Sequence, residues 1–91
     1  MTPYQVRNIA KQYRKMFDEN GIVPRKHPDD KLASQPANFE HCYWMCIEID
    51  KLLNQNTQDK FEKAMRWLCF VQGCLWSYQQ HTISDLKDHN R

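Results

Sequence analysis

Glycine is scarce in this sequence, with two residues among 91, and proline occurs four times. Few turns are therefore encoded, which favours long helices over a sheet of many short strands. Two isolated glycines also exclude a glycine-rich phosphate-binding loop. No apolar run approaches the ~18 residues of a membrane span, and the first ten residues lack the apolar core of a signal peptide. We therefore expect a helical protein that stays in the cytoplasm, outside any membrane.

Length and composition predict one folded domain over residues 1–91. The chain is 41% hydrophobic and 12% aromatic, which is enough for a packed core and argues against disorder. The net charge is +2 and the isoelectric point is about 8.4, below the ~9 typical of a dedicated nucleic-acid binder.

The first helix is predicted over residues 2–20. Thr2 suits the N-cap, Pro3 suits the first turn, and Gly21 can take the left-handed conformation that ends a helix. An apolar stripe recurs at helical spacing: Val6, Ile9, Tyr13, Met16 and Phe17. Residues 22–37 follow as an irregular linker that contains three of the four prolines. A connection of this length in a small domain is typical of a functional or mobile loop.

The second helix is predicted over residues 38–54, with a start between Ser34 and Asn38. Its apolar spacing is that of a helix packed on one side. The predicted core residues are Cys42, Met45, Cys46, Ile49, Leu52 and Leu53.

The third helix is predicted over residues 58–80, with Thr57 as its cap. Its centre, residues 64–71, is apolar on nearly every face, which is typical of a central helix or of one that also packs on a partner. Gly73 costs about 1 kcal/mol inside a helix and forms a small-residue stripe with Cys69 and Ser77. We interpret the stripe as a close approach of a neighbouring helix, either from this chain or from a second copy.

A short last helix is predicted over residues 83–89. Thr82 and Asp85 resemble a capping box, and Ile83 and Leu86 are expected to face inward. The predicted fold is therefore an all-α small helical bundle: a two-helix hairpin, an N-terminal helix packed across it and a short C-terminal helix.

The cysteines are expected to be free thiols without a bound metal. In a reducing cytoplasm disulfides are rare. A zinc site usually shows paired cysteines on turns, whereas Cys42, Cys46, Cys69 and Cys74 all fall within predicted helices; His41 and His81 would have to complete any metal site. No catalytic signature surrounds these residues, so we expect neither enzymatic activity nor a cofactor.

Two surfaces are candidates for binding. The first is a basic face on helix one, which comprises Arg7, Lys11, Arg14 and Lys15. The alternative interpretation is that this face is simply exposed to solvent and binds nothing. The second is a set of mainly aromatic side chains off the core stripes, of the kind that dominate protein-binding hot spots; it comprises Trp44, Ile47, Arg66, Trp67 and Phe70. Coverage of this second set by helices one and four is equally compatible with the sequence.

Residues 39–91 resemble a group of short accessory proteins of unassigned function from tailed bacteriophages. The resemblance rests on three segments: residues 39–46 (FEHCYWMC), residues 63–76 (KAMRWLCFVQGCLW) and the tail from residue 82. It brings no catalytic residue with it, and helix one and the linker lie outside it. The resemblance implies an accessory protein of an infected bacterial cytoplasm.

Proteins of that size and setting are often inhibitors that mask a host factor. The expected function is therefore stoichiometric binding of a host protein, such as a defence component of the CRISPR effector class. The expected mechanism is steric masking of that protein. Self-association of this chain is a further expectation. One alternative is a nucleic-acid-binding regulator that uses helix one and the linker. Another is a sponge for a nucleotide immune signal, held by aromatic side chains and Arg66.

Overall fold

The computed structural model describes residues 1–78 and 81–91, and these form four helices with no strand among them. The helices are α1 (Pro3–Glu19), α2 (Gln35–Asn54), α3 (Gln58–Ser77) and α4 (Ile83–His89). Helices α2 and α3 form the predicted hairpin, and α1 packs mainly on α2 and less extensively on α3. The all-α prediction is confirmed.

The ends of α1 follow the local chemistry expected from the sequence. The Thr2 hydroxyl accepts a hydrogen bond from the Gln5 N–H at 3.2 Å, and the Gln5 side chain accepts one from the Thr2 N–H at 2.8 Å. At the other end Gly21 has a φ of 73°, and the Ile22 N–H donates to the Phe17 carbonyl at 3.0 Å. Glycine adopts this conformation without the steric cost of a Cβ atom, so Gly21 turns the chain away from α1.

Helix α2 begins at Gln35, three residues before the predicted residue 38. The Ser34 hydroxyl accepts from the Ala37 N–H at 3.4 Å, and Pro36 lies in the first turn. A proline there removes an N–H that has no partner inside the helix, so Pro36 belongs to α2 and not to the linker. The linker is correspondingly shorter than the predicted 22–37.

The core lies between the three long helices. All six residues predicted for the α2 stripe are buried, and Val6, Ile9, Tyr13 and Phe17 of the predicted α1 stripe are buried with them. Helix α3 contributes four buried apolar residues: Ala64, Leu68, Val71 and Leu75.

Helix α3 ends at Ser77 with Tyr78 as its C-cap. The predicted last turn through residues 79 and 80 lies outside the described residues. Gly73 is exposed, and apart from its own helical turn and chain neighbours, no atom of the described residues would lie within 4 Å of a Cβ added there. The expectation that a helix of this chain approaches Gly73 is therefore wrong, because α3 turns this side away from α1 and α2.

Helix α4 is attached by polar contacts. The expectation that Ile83 faces inward is wrong, since it is 55% exposed, and α4 buries no residue fully. The Tyr13 hydroxyl lies 2.7 Å from His89 Nδ1. The buried Gln72 donates to Asn90 Oδ1 at 2.6 Å and to the Tyr13 hydroxyl at 3.2 Å. A seven-residue helix has too little apolar surface to dock by burial alone, so these hydrogen bonds position it.

Candidate functional site

Three aromatic side chains from α2 and α3 are in contact: His41, Trp44 and Trp67. Phe70 lines a groove with His41, and we call these four side chains the aromatic surface. The Trp44 and Trp67 ring centroids are 5.8 Å apart with the planes tilted by 39°, and the His41 ring lies 5.4 Å from Trp44. Both indoles are partly buried at the edge of the core. The helix hairpin therefore brings together two tryptophans that are 23 positions apart in the sequence.

A lysine ammonium group lies over the ring of each indole in the aromatic surface. Lys26 Nζ lies 5.4 Å from the Trp44 ring centroid, and Lys63 Nζ lies 5.3 Å from that of Trp67. At these distances the ammonium groups are attracted to the ring faces, with energies of about 0.5–1 kcal/mol at exposed sites. The lysines and the neighbouring rings thus hold the two indoles in place, which reduces the entropy lost when a ligand binds them.

Phe70 extends the aromatic surface to an open groove. Its side chain is 52% exposed. The groove has a volume of about 300 Å³. Its lining combines the linker with α2 and α3: His27, Pro28, Asp29, Lys31, Ala33, Asn38, His41 and Phe70.

The linker is anchored to α2 beside this groove. The His27 N–H donates to His41 Nδ1 at 3.0 Å, and His27 Nε2 lies 3.1 Å from the carbonyl oxygens of Lys31 and Leu32. The Arg25 N–H donates to the Glu40 carbonyl at 3.1 Å. These contacts satisfy backbone groups that a loop otherwise leaves to water, and they make the linker one wall of the groove.

The structure divides the five predicted binding residues. Trp44 and Trp67 are in contact, and Phe70 lines the groove beside His41. Ile47 lines a different groove on the α1 side of α2. Arg66 is exposed on α3, without a hydrogen bond or ion pair among the residues that the structure describes. Ile47 lies only three residues after Trp44, but its side chain lines the groove between α1 and α2 together with Tyr43. Helical spacing alone therefore does not explain the division.

Part of the predicted basic face is neutralised within the chain. Arg7 Nη1 lies 2.8 Å from Asp50 Oδ1 and 2.9 Å from Asn54 Oδ1. Lys15 Nζ lies 3.9 Å from Glu19 Oε1. The Arg7 ion pair joins α1 to α2, and the Lys15 ion pair lies within α1. Of the four predicted basic residues, only Lys11 and Arg14 therefore make no ion pair within the described chain.

Lys11 and Arg14 line a second, shallower groove between α1 and α2. Its volume is about 440 Å³, and its lining is Lys11, Arg14, Lys15, Asp18, Tyr43 and Ile47. The groove combines positive charge with two partly buried apolar side chains, but Asp18 reduces the positive potential at one end. It is a candidate site for an anionic ligand and is separate from the aromatic surface.

Three residues of the aromatic surface and its lysine contacts were not predicted as binding residues: His41, Lys26 and Lys63. Lys63 precedes Trp67 by four residues and His41 precedes Trp44 by three, and side chains at these separations meet on a helix. That spacing was a usable signal for both. Lys26 offers no such signal, because its contact with Trp44 depends on the path of an irregular linker.

The cysteines are distributed over separate environments. Cys42 and Cys46 are buried, Cys74 is partly buried and Cys69 is exposed. Burial raises the pKa of Cys46 to about 12, since a thiolate is poorly solvated in the core. Among residues 1–78 and 81–91, no three His, Cys, Asp or Glu side chains are grouped so as to hold a metal ion.

Acidification is predicted to destabilise the fold through two histidines. Burial, reinforced by His27 and Lys26 against the opposing Asp29, lowers the pKa of His41. Burial and the neighbouring His89 lower the pKa of His81, against Asp85, and His81 Nε2 is buried without a partner among the described residues. A histidine whose pKa is lower in the folded chain stabilises the fold above its ordinary value of 6.5, and this contribution is lost as pH falls below that value.

The measurement is the urea midpoint at pH 7.0 and at pH 5.5, which we expect to be lower at the acidic pH. The matched variants are His41→Asn, which keeps an acceptor for the His27 N–H, and His81→Phe, which keeps a ring against Tyr13. Each variant should reduce the pH dependence. An unchanged pH dependence in the double variant would contradict the assignment.

Comparisons with family models, with curated proteins and with solved structures find no significant match to this chain. Within the described ranges, none of the helices combines the length and apolar character needed to cross a bilayer. The function is therefore inferred from the residues and geometry of this chain.

Proposed function

We propose that this chain is a non-enzymatic binding protein that docks a protein partner on the aromatic surface. The observation that carries the proposal is the contact between Trp44 and Trp67, with a lysine over each ring. The exposed Phe70 lines a groove with His41, which contacts Trp44. Tryptophans are the residue type most enriched at binding hot spots. Pre-ordered, partly exposed indoles provide an apolar contact area at a small entropic cost.

The side chains that already contact the Trp44 and Trp67 rings favour a protein over a nucleic acid as the binding partner. A nucleobase binds an aromatic side chain by stacking on an open ring face. Here Trp44 is flanked by Lys26, His41 and Trp67, and Trp67 by Lys63 and Trp44. A base would have to displace one of these groups, whereas a protein side chain can pack against the ring edges. The same reasoning disfavours the nucleotide-sponge alternative.

The class of partner rests on the resemblance of residues 39–91 to bacteriophage accessory proteins. It suggests a host bacterial protein, and a defence component such as a CRISPR effector is the proposed target. The mechanism would be steric: the aromatic surface anchors the partner, and the body of the helical bundle covers a functional face. This mechanism requires no chemistry and no cofactor.

A nucleic-acid-binding regulator is the second candidate. The groove that contains Lys11 and Arg14 supports it, since two unpaired cations flank Tyr43 and Ile47. Binding of this kind loses affinity steeply with salt, because phosphate contacts release counterions. The ion pairs of Arg7 and Lys15 leave few cations for such contacts.

The test is affinity capture of the tagged chain from bacterial lysate, with and without nuclease and at two salt concentrations. A protein captured in stoichiometric amount after nuclease treatment, and lost with Trp67→Ala, would support the proposal. Recovery that disappears with nuclease, and with Lys11→Ala combined with Arg14→Ala, would support the regulator instead. Tyr4→Ala is the matched control, because Tyr4 is 76% exposed at the start of α1.

We also propose that two copies associate through the outer side of α3. Trp76 is 53% exposed there, and the open space at Gly73 permits a close helix contact. Light scattering should give a mass above the 11.0 kDa monomer, and Trp76→Glu should lower it. The control is Ile83→Glu, also at an exposed apolar position. A monomer at high concentration would contradict self-association while leaving the partner surface intact.

A further inference from the structure

Helix α4 is held against α1 and α3 by a closed hydrogen-bond network. The Tyr13 hydroxyl lies 2.7 Å from His89 Nδ1 and accepts from Gln72 Nε2 at 3.2 Å. The side-chain amides of Gln72 and Asn90 are hydrogen-bonded to each other in both directions, at 2.6 and 3.2 Å. Because Tyr13 and Gln72 are buried, water cannot readily replace a partner that either of them loses.

The network determines the protonation state of His89. Gln72 Nε2 uses both of its N–H groups, one on Asn90 and one on the Tyr13 oxygen. A phenol has a single proton, and His89 Nδ1 is the one acceptor that the described residues offer to it. Tyr13 therefore donates and His89 Nδ1 accepts, which requires a neutral imidazole with its proton on Nε2.

An imidazolium at His89 would turn this acceptor into a donor. The Nδ1–H group would then point at the Tyr13 hydroxyl, and the phenolic proton would lose its acceptor inside the core, which costs free energy. The His81 ring lies 4.9 Å from the His89 ring, and its Nε2 atom is buried with no partner in the described chain. A positive charge is therefore poorly accommodated on either imidazole.

We propose that His89 makes the attachment of α4 pH-sensitive: the helix is docked while the imidazole is neutral and detaches from Tyr13 and Gln72 when the imidazole is protonated. This inference is independent of the proposed partner binding. Helices α1, α2 and α3 are expected to stay folded when α4 detaches, because α4 contributes no fully buried residue to the core.

The charged groups within the C-terminal segment act in opposite directions. Asp85 attracts a positive charge on His81 or His89, but its side chain is exposed and solvent screens this attraction. Asp88 is paired with Arg91 at 2.6 Å. His81 repels a charge on His89. The loss of the Tyr13 hydrogen bond and this repulsion therefore outweigh the carboxylate of Asp85.

The other three helices supply no charge to the network. Burial keeps the pKa of Cys46 at about 12, and it raises the pKa of Tyr13, so both groups remain protonated at neutral pH. The residues in or next to the network from these helices are Tyr13 of α1, Cys46 of α2 and Gln72 of α3. Attachment of α4 is accordingly strongest at neutral and higher pH and is lost as pH falls.

The test measures backbone amide hydrogen exchange by NMR in the full chain at pH 7.5 and pH 5.5, on either side of the value of about 6.5 at which histidines ordinarily titrate. Protection, taken relative to the exchange rate of an unstructured chain at each pH, should fall roughly tenfold at residues 86–90. The protected amides of α1, α2 and α3 should keep their protection. The His89 Cε1–H resonance should titrate with the same midpoint as the loss of protection.

His89→Asn is the matched variant, because its Oδ1 atom can accept from Tyr13 and does not titrate. Its α4 amides should stay protected at pH 5.5. Tyr13→Phe removes the hydroxyl and should reduce the protection of α4 at both pH values. The control is His41→Asn, at a histidine outside the network, and this variant should leave the response of α4 unchanged.

Equal protection of α4 at the two pH values, or no protection of α4 at pH 7.5, would overturn the proposal. A loss of protection spread evenly over all four helices would do the same, since it would indicate global unfolding. If His89→Asn fails to hold α4 at either pH, the unmodified chain decides the question. A midpoint for the loss of protection that departs from the titration of the His89 resonance would exclude His89 as the group responsible.

Discussion

Replacing Trp67 with alanine is expected to weaken binding of the captured partner by roughly thirty-fold or more, equivalent to about 2 kcal/mol. The substitution removes an indole that contacts Trp44 and carries Lys63. It therefore eliminates an anchor and also frees the neighbouring ring to move. The measurement is an isothermal titration of the purified partner with the two chains, after circular dichroism has shown that both are folded.

Phe70→Ala is a second test of the aromatic surface, and Tyr4→Ala is the control. Phe70 is 52% exposed and lies in the aromatic surface, so its replacement should weaken binding with little effect on the fold. Tyr4→Ala should leave binding unchanged. A larger loss from Lys11→Ala combined with Arg14→Ala than from Trp67→Ala would place the partner in the α1–α2 groove and contradict the proposed surface.

Replacing Phe17 with alanine is expected to lower the free energy of unfolding by about 3–5 kcal/mol. Phe17 is 1% exposed, and its ring lies 6.2 Å from that of Phe39 and 5.8 Å from that of Tyr43. The cavity left behind would lie where α1, α2 and the start of the linker meet. Since small domains have only about 5–15 kcal/mol in total, a substantial fraction of the stability should be lost.

Urea denaturation followed by circular dichroism measures this effect. Phe17→Leu keeps much of the buried volume and should cost clearly less than Phe17→Ala. Tyr4→Ala, at an exposed aromatic, should change stability by no more than about 0.5 kcal/mol. Equal midpoints for Phe17→Ala and Tyr4→Ala would show that the α1–α2 contact does not stabilise the fold as described.

The sequence alone was sufficient for the helices and for most of the core. Helical periodicity identified all six buried residues of the α2 stripe, because each helix must turn one continuous apolar side inward. The predicted N-cap at Thr2 and the predicted capping box at Thr82 identified two helix starts through local hydrogen bonds. The observed start of α2 at Gln35 falls within the predicted window of Ser34 to Asn38. The narrower range of 38–54 left Pro36 in the linker, although the first turn of a helix accepts proline.

Contacts between side chains of different helices were determined only by the tertiary structure. Trp44 and Trp67 meet because the hairpin aligns the two helices, and Ile47 is separated from them because it lies on the α1 side of α2. The linker placed Lys26 over Trp44, and no short-range pattern encodes that path. Periodicity specifies which side of a helix is apolar, but the relative rotation and register of packed helices depend on how all their side chains fit together.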